Sequence, residues 1–263
     1  MLRDLICLAG QKCICFCRYL AELLFLFLQT LESLFRGKLR FRLFLGQILE
    51  IGGRSQLVVV VTGAFTGAVF AAQTFFQFHY LGMDSAVGPV VAVSMCRELG
   101  PVLTGLMVAG RVGASMSAEI GTMKVTEQID ALRALAVHPV DYLVLPRFLA
   151  ILFSMPLLVA EAIGLGILAG YIVGVWIMGI QGAYYVANML AFTTVQDLLM
   201  GMSKGLFFGL LIVLIGCREG LKASNGAVGV GNGTTRAVVI ASLAILISNF
   251  FLTMALNIVM PAD

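Results

Sequence analysis

The chain has 263 residues, of which 60% are hydrophobic and 12% are charged, with a net charge of +3 at pH 7 and a mean hydropathy of +1.01. So few charged side chains could not cover the apolar surface of a water-soluble domain, so the composition excludes a soluble protein and indicates an integral membrane protein. The small net charge gives no support to nucleic-acid binding. Apolar runs of about 20 residues recur without the alternation of membrane β-strands, so we predict an all-α fold.

Residues 1–56 are predicted to form an N-terminal cytoplasmic region with a helix lying in the membrane surface. Charges such as Glu22 interrupt the apolar sequence and no small-residue cleavage site follows, so the segment is expected to be retained rather than cleaved as a signal peptide. Between Leu20 and Leu31, apolar residues recur at helical spacing, which is typical of an interfacial helix. A spanning helix from Ile14 to Leu34 is the alternative, because the segment is long enough.

The cysteines of this region do not have the spacing of a metal site. Cys13, Cys15 and Cys17 are separated by single residues, unlike zinc ligands, so we predict no metal. They are interpreted as small apolar residues on a reducing, cytoplasmic surface, with reversible acylation as the alternative. A short basic patch that includes Lys38 and Arg40 follows, and it is suited to anionic lipid headgroups.

Residues 57–263 are predicted to form one transmembrane domain of five helical spans. In the first span, Gly63, Gly67 and Ala71 repeat every four residues and form a small-residue face against which another helix can pack closely. The predicted spans are Leu57–Phe76, a second that begins near Ala86, a third within Tyr142–Ile177, a fourth from Val195 to Gly216 and a fifth from Ala237 to Met260.

Two places in this domain are expected to depart from a regular helix. Pro101, in the second span, cannot donate to the carbonyl group of Arg97, so a free backbone acceptor is expected there. The glycine-rich stretch Asn225–Gly233 is interpreted as a flexible turn, because no Lys-Ser/Thr pair follows it as in a phosphate-binding loop. Thr234 and Thr235 are expected to cap the last helix.

The basic residues determine the predicted orientation. Of the 17 Lys and Arg residues, all except Arg97 and Lys204 fall on one side of the membrane if there are five spans, because the connections after Phe76 and after Ile177 contain none. Loops rich in basic residues face the cytoplasm. We therefore expect a cytoplasmic N-terminus and a C-terminus on the outer side of the membrane.

Four charged residues inside the spans are the candidate substrate-binding residues: Arg97, Glu98, Asp197 and Lys204. At about 1.5 Å per residue from the outer ends of their helices, Arg97 and Lys204 lie at similar depths, roughly 14 to 17 Å in. Glu98 adjoins Arg97, and Asp197 lies on the same helical face as Lys204, so each cation has an acidic counterpart. Charges at this depth favour a substrate pathway, and the alternative is that they only fix helix packing.

Between the second and third spans, Met123–Ala136 is predicted to form a short amphipathic cytoplasmic helix. Val125, Ile129 and Leu132 share an apolar face, and charged residues occupy the other faces. His138 and the proline after it end the helix. The segment could rest on the bilayer, or it could insert into another subunit as a coupling helix, which its many charges favour.

Two stretches of the sequence resemble a known family. From Glu98 to Arg147 the chain reads ELGPVLTGLMVAGRVGASMSAEIGTMKVTEQIDALRALAVHPVDYLVLPR, which resembles the defining region of the MlaE/YrbE-type permeases, the membrane subunits of Mla and Mce-associated ABC lipid transporters and of their chloroplast relatives. From Gly229 to Val239 it reads GVGNGTTRAVV, which is similar to that family's final cytoplasmic loop and last helix. The resemblance extends from about Gln47 to the C-terminus.

The resemblance implies a homodimeric permease of five-span subunits in the cell inner membrane, with a periplasmic C-terminus, that moves phospholipid between the inner and outer membranes. Its implied partners are an MlaF-like ABC ATPase subunit, an MlaD-like ring of MCE-domain protein on the outer side and a small STAS-type cytoplasmic subunit. The chain has no nucleotide motif, so it is expected to be no enzyme and to need no cofactor, with ATP used by the partner.

The resemblance also implies two functional regions. A lipid cavity would open outward near the four charged residues within the spans. The ATPase would dock on the cytoplasmic segment between the second and third spans. The residues implied for this coupling are Glu119, Gly121, Thr122, Lys124, Glu127, Gln128, Asp130 and Arg133.

Two other functions remain open on the sequence. Glu98, Glu161 and Asp197 could form the proton relay of an ion-coupled secondary transporter, although no internal repeat of the kind that builds many such carriers is evident. A non-transporting membrane scaffold would leave the buried charges dispensable. Copurification with an ATPase and ATP-stimulated activity would distinguish these functions.

Overall fold

The computed structural model describes residues 2–36, 41–224 and 226–259, without the side chains of residues 2–9. Within these ranges the regular elements are all helices, which confirms the predicted all-α fold. The basic residues Lys38 and Arg40 and the predicted end of the last span at Met260 lie outside the described residues.

The described part of the chain forms eleven α-helices. They are α1 (Leu2–Phe35), α2 (Phe41–Ile51), α3 (Gln56–His79), α4 (Val87–Ser94), α5 (Gly100–Val108), α6 (Ala114–Val125), α7 (Gln128–Ala134), α8 (Leu145–Ile172), α9 (Gly182–Phe192), α10 (Val195–Leu221) and α11 (Ala227–Val259). Wider π-helical turns adjoin several of them, and such turns often occur at functional sites. These turns are Met95–Leu99, Ala109–Gly113, Val140–Val144 and Val173–Ile177.

Six helical stretches among the described residues are long and apolar enough to cross a membrane. Five of them contain the predicted spans, so the chain is a multi-pass membrane protein. The sixth lies in α1, which the sequence predicts to be interfacial. The six stretches are Gly10–Phe35, Phe41–His79, Asp84–Val125, Val140–Ile177, Val195–Leu221 and Ala227–Val259.

The small-residue face of the first span packs as predicted. Gly63 of α3 lies against Ala162 of α8, and Gly67 lies against Gly166, with no room for a Cβ atom on either glycine. Ala71, on the same face, is fully buried. Residue numbers increase together along the two helices, so α3 and α8 run parallel. Small residues allow this close backbone approach, which stabilises helix pairs in lipid.

The central helix α10 runs in the opposite direction to α8. Its Gly205 lies against Val159, and Gly209 lies one turn later against Met155. Because one number rises as the other falls, the two helices are antiparallel. Fourteen residues of α10 are buried, so this helix lies at the centre of the bundle.

The second and fifth spans are antiparallel as well. Gly105 of α5 lies near Ile245 of α11, whereas Gly121 of α6 lies near Val230, at the other end of α11. Gly201 and Gly216 of α10 lie against Cys96 and Gly113 of the second span, so these two spans are parallel. With the orientations of α3 and α8, successive spans therefore alternate in direction. That alternation is the one expected for a five-span membrane domain.

The middle of α1 crosses the end of the bundle where α8 begins and α10 ends. The rings of Phe27 and Phe148 are 6.1 Å apart, Glu22 lies 2.6 Å from Arg218, and Leu26 is buried in the main core. A spanning helix would contact its neighbours along the depth of the membrane, whereas these contacts go to one end of the bundle. The arrangement supports the interfacial interpretation of α1.

The predicted amphipathic helix Met123–Ala136 is two helices rather than one. α6 continues to Val125, α7 begins at Gln128, and Glu127 between them has a φ of 60°. A left-handed residue interrupts the right-handed helix, and non-glycine residues seldom adopt this conformation, so the sequence pattern does not reveal the break. Ile129, on the predicted apolar face, is fully buried and anchors α7 to the bundle.

The predicted flexible turn is largely helical. α11 begins at Ala227, and Asn225 lies outside the described residues. Thr234 donates a hydrogen bond to the Val230 carbonyl oxygen at 2.8 Å, one helical turn earlier. Thr234 and Thr235 therefore lie inside α11 and do not cap it. Gly233 is buried, which indicates that glycine serves close helix packing here.

Sequence analysis does not predict α9, which follows the third span and packs against α4. Its Tyr185 is 1% exposed and lies against Gly88 of α4 and Gly174 at the end of the third span. The two glycines leave room for the phenol ring. α9 thereby closes one side of the bundle beside the start of α4, the helix that leads to the charged residues.

Candidate functional site

Charged side chains from the second and fourth spans meet in the half of the bundle nearer the start of α4 and the end of α11. Arg97 and Glu98 lie in the π-helical turn Met95–Leu99. Asp197 and Lys204 come from α10. The sequence predicts that Arg97 and Lys204 face one cavity, and both side chains do line it.

Arg97 and Asp197 form an ion pair between the second and fourth spans. The Arg97 Nε atom donates to Asp197 Oδ1 at 2.5 Å. The other Asp197 oxygen accepts hydrogen bonds from the Thr194 backbone N–H at 2.8 Å and from the Thr194 hydroxyl at 3.0 Å. This reciprocal cap at the start of α10 satisfies a backbone donor and fixes the carboxylate, which is 1% exposed.

Lys204 is held by three acceptors and is 2% exposed. Its Nζ atom donates to the Arg97 carbonyl oxygen at 2.7 Å, to Glu98 Oε1 at 2.8 Å and to the Thr253 hydroxyl at 2.8 Å. The Arg97 carbonyl is the acceptor that Pro101 was predicted to leave free, because proline has no N–H to donate. The structure thus places a lysine where the sequence predicts an unpaired backbone acceptor.

Two residues of α11 complete the site, and sequence analysis misses both. Asn249 Nδ2 donates to Glu98 Oε2 at 2.8 Å. Thr253 lies 2.9 Å from Glu98 Oε1 and 2.8 Å from the Asn249 carbonyl oxygen, one turn earlier. A polar pair one turn apart in an apolar span is the signal that could have indicated them, because membrane spans contain few polar residues that lack a partner.

The ion pairs are crossed relative to the predicted pairing. We expected Glu98 beside Arg97 and Asp197 on the same face as Lys204, so that each cation had an acid on its own helix. In the structure Arg97 binds Asp197 and Lys204 binds Glu98, so each pair joins the second span to α10. These charges therefore fix helix packing, and three of them, Arg97, Glu98 and Lys204, also line the cavity, whereas Asp197 does not.

The cavity has a volume of about 240 Å³. Its two exposed charges are Arg97 and Glu98, whose side chains are 25% and 38% exposed. The remaining walls combine three apolar residues, Val93, Met200 and Leu256, with three uncharged polar residues from the second and fifth spans. The lining residues are Val93, Ser94, Arg97, Glu98, Met200, Lys204, Thr253, Leu256 and Asn257.

The predicted coupling residues lie at the opposite end of the bundle. We call Glu119–Arg133 the coupling segment. Most of these predicted residues are exposed, but Gly121 is buried against Ala223 and Val230. Gly121 therefore packs inside the protein, and its predicted coupling role stays a prediction.

The charges of the coupling segment pair mainly with one another. Asp130 accepts from Lys124 at 3.2 Å and from Arg133 at 3.0 Å, and all three side chains are at least one third exposed. Glu119 instead binds Arg147 at the base of α8, at 2.8 Å. Because Arg147 is buried, this pair links the start of the coupling segment to the third span.

A groove of about 520 Å³ lies beside the coupling segment. α1 contributes Leu26 and Gln29 to its wall, and the coupling segment contributes Lys124, Ile129 and Arg133. The N-terminal helix and the coupling segment thus share one surface at this end of the bundle.

Among the residues that the structure describes, no group of three or more His, Cys, Asp or Glu side chains is placed to hold a metal ion. Cys13, Cys15 and Cys17 are exposed free thiols on α1, whereas Cys96 and Cys217 are buried. Glu161, a member of the proton relay considered from the sequence, is not among the residues that line the charged cavity.

Known proteins resemble this chain over most of its length. The family model described as Permease MlaE matches residues 44–255. A probable ABC transporter permease protein of Rickettsia conorii is 41% identical over 93% of this chain and 94% of its own length. A probable ABC transporter permease protein of Synechocystis is 40% identical over 86% of both chains. The chloroplastic protein trigalactosyldiacylglycerol 1 of Arabidopsis thaliana is 35% identical over 86% of this chain and 64% of its own length.

Proposed function

The chain belongs to the MlaE permease family, and from this premise we propose that it carries phospholipid between the inner and outer membranes as the membrane subunit of an ABC transporter. Its relatives in Rickettsia and Synechocystis are described as ABC transporter permeases, and the chain has the multi-pass helical architecture of a permease. Family membership gives the role of an ABC transporter permease. That the cargo is phospholipid, and that it moves between the inner and outer membranes, is our proposal.

The observation that carries the lipid proposal is the charged cavity. Arg97 presents its guanidinium group to a space whose walls include the apolar side chains of Val93, Met200 and Leu256. A guanidinium binds a phosphate group through paired N–H donors, and the apolar walls suit the part of a lipid next to its headgroup. Charged groups within a span are rare and commonly mark a substrate pathway, which favours a binding role for the two that remain partly exposed.

We assign different roles to the two cations of the cavity. Arg97 contacts the lipid phosphate, since it is partly exposed and Asp197 occupies only its Nε atom. Lys204 instead positions Glu98 and holds α11 against α10 through Thr253. The four residues predicted to bind substrate thus divide into exposed groups that meet the lipid, Arg97 and Glu98, and buried groups that hold them in place.

The coupling segment is proposed as the docking site of the ATPase subunit. Its exposed charges lie on two short helices that are anchored by Ile129 and by the ion pair between Glu119 and Arg147. A rigid anchor with a charged outer face suits a partner that must transmit a movement to the spans. ATP hydrolysis would take place in that partner.

The other partners and the location are proposed from family membership. They are a second copy of this chain, an MCE-domain protein ring on the outer side, a small STAS-type cytoplasmic subunit and the lipids of the cell inner membrane. The alternation of the five spans supports opposite locations for the coupling segment and for the end of α11. With a cytoplasmic coupling segment, the end of α11 would face the periplasm.

Reconstitution tests this function directly. The permease, purified with its ATPase, would be placed in liposomes that contain labelled phospholipid, and lipid transfer to an acceptor would be followed with ATP or with a non-hydrolysable analogue. We expect transfer that requires hydrolysis. Transfer driven by a proton gradient without ATP would contradict the proposal and would indicate an ion-coupled transporter, and an intact complex that transfers no lipid under either condition would indicate a scaffold.

A further inference from the structure

The two exposed charges of the cavity have opposite signs. Arg97 and Glu98 are 25% and 38% exposed, whereas Asp197 and Lys204 are 1% and 2% exposed. The four charges sum to zero, so the cavity as a whole does not favour an anion. A ligand that enters it meets one guanidinium group and one carboxylate on neighbouring residues.

Lys204 has no proton left for a ligand. An ammonium group has three N–H donors, and those of Lys204 are directed at the Arg97 carbonyl oxygen, Glu98 Oε1 and Thr253 Oγ1, at 2.7 to 2.8 Å. Binding a phosphate at Lys204 would require breaking one of these bonds inside a low-dielectric site. Lys204 therefore neutralises part of the charge on Glu98 without contacting the ligand.

Arg97 keeps donors for a ligand. A guanidinium group has five N–H donors, and the Asp197 contact uses the one on Nε. Within the described ranges, the structure shows no hydrogen bond from either Nη atom of Arg97 to a protein acceptor. These Nη donors can form the paired contact that guanidinium makes with phosphate.

Glu98 keeps an acceptor site for a ligand. A carboxylate can accept about four hydrogen bonds. In the structure Oε1 contacts Lys204 and Thr253, and Oε2 contacts Asn249 alone. The exposed carboxylate can therefore accept from a further donor at Oε2, and a cationic donor would form the stronger, charge-assisted bond.

From these contacts we propose that the cavity recognises a zwitterionic headgroup, with its phosphate on Arg97 and its ammonium group on Glu98. The inference rests on the proposed function, since it specifies the class of phospholipid that the same cavity takes. A purely anionic headgroup, such as phosphoglycerol, would bring its phosphate to Arg97 but would leave Glu98 facing a negative ligand without a cation. Specificity of this kind comes from a repulsive element as well as an attractive one.

The experiment uses the permease purified with its ATPase and vesicles of equal amounts of phosphatidylethanolamine and phosphatidylglycerol. Two quantities are measured: the ratio of the two lipids that remain bound after detergent extraction, determined by mass spectrometry, and the ratio that ATP-dependent transfer delivers. We expect the zwitterionic lipid to be preferred by about tenfold, as a charge-assisted hydrogen bond would give.

Glu98→Gln should bring both ratios close to one, because the amide keeps an acceptor for Lys204 but no longer attracts an ammonium group or repels an anion. Asp84→Asn, which removes an acid outside the cavity whose carboxylate bonds only to His79 among the described residues, is the matched control and should keep the preference. If Glu98→Gln does not assemble, the unmodified complex still decides the question, since equal binding of the two lipids by that complex would overturn the inference.

The two proposals fail in different ways. Transfer of both lipids without preference would leave the transport function standing and remove the headgroup selectivity. A preference in the bound lipids without any ATP-dependent transfer would keep the selectivity of the cavity and contradict the transport function.

Discussion

The charged cavity and the coupling segment use ion pairs in opposite ways. In the cavity, Lys204 and Glu98 are 106 residues apart in sequence, and the lysine is almost completely buried. In the coupling segment, Lys124 and Asp130 are six residues apart and both are exposed by at least a third. The first kind of pair joins helices and leaves a stranded charge when it is broken, whereas the second can exchange its partner for water or another protein.

This difference predicts that removing a buried charge of the cavity affects folding and transport together, and that a substitution in the coupling segment affects assembly alone. Buried pairs cost several kcal/mol when one partner is removed, whereas exposed pairs contribute about 0 to 1 kcal/mol. The largest effects are therefore expected at the buried charges of the cavity and the smallest at exposed pairs.

Lys204→Ala should have the largest effect. It leaves Glu98 without its cation and the Arg97 carbonyl without a donor, so we expect a loss of roughly 3 to 5 kcal/mol of stability and little assembled protein. The double variant Lys204→Met with Glu98→Gln, which removes the charge on both sides, should recover thermal stability more than lipid transfer. Full transfer by the double variant would show that these charges only brace the helices.

Arg97→Gln should reduce transport more than stability. Asp197 would lose its cation, but it would keep two hydrogen bonds from Thr194 and could accept another from the new amide, so its carboxylate would stay hydrogen-bonded. Loss of a charge-assisted contact with phosphate predicts a fall in lipid transfer of about tenfold or more. Arg97→Lys is the control, since it keeps the charge but not the paired donors. Its rate of lipid transfer should lie between those of the unmodified protein and Arg97→Gln. Equal losses of thermal stability and of transfer would assign Arg97 a packing role.

The sequence could predict that Arg97 and Lys204 lie at similar levels along their helices, but it could not predict how the charges pair. Depth follows from the rise per residue of a helix whose ends are visible in the hydropathy. Pairing depends on how helices rotate and slide against one another, and in this bundle close contacts at glycines such as Gly201 and Gly205 set that register. Asn249 and Thr253 were not predicted, because only helix packing brings α11 against Glu98.

The coupling segment shows where local pattern is insufficient. Its apolar spacing predicts one helix, yet Glu127 has a φ of 60° and separates α6 from α7. Buried Ile129 and the hydrogen bonds of Asp130 hold α7 in its position after the break. Tertiary contacts thus override the local helical preference, as the modest size of helix propensities allows.

Charge reversal in the coupling segment should weaken ATPase association while the membrane domain stays folded. Glu127 and Asp130 are exposed, so Glu127→Lys and Asp130→Lys strand no buried charge, but they change the complementarity with a docked partner. We expect the amount of copurified ATPase to fall severalfold, with an unchanged melting temperature of the permease. Glu32→Lys, the same reversal on exposed α1, is the control. ATPase recovery equal to that of the unmodified protein in both coupling variants would remove the docking role.

The smallest effect is expected at the contact between α1 and the bundle. Glu22 accepts from Arg218 at 2.6 Å and also pairs with Lys222, and the Arg218 guanidinium lies 3.7 Å from the centre of the Tyr19 ring. Glu22→Gln would remove the ion pairs, but Arg218 would keep Glu219 as its partner and Tyr19 as its stacking surface. No charge is stranded, so we expect at most about 1 kcal/mol of change.

That small change is measurable because it concerns one helix with its own chemical reporters, the exposed thiols of Cys13, Cys15 and Cys17. If Glu22 holds an interfacial α1 against the cytoplasmic end of the bundle, Glu22→Gln should increase the proteolysis of α1 severalfold, while Glu32→Gln, which breaks only the pair with Arg36 inside α1, should not. A membrane-impermeant thiol reagent should label these cysteines from the cytoplasmic side in both variants. Labelling from the outer side would instead make α1 a sixth span and would reverse the assignment of its start to the cytoplasm.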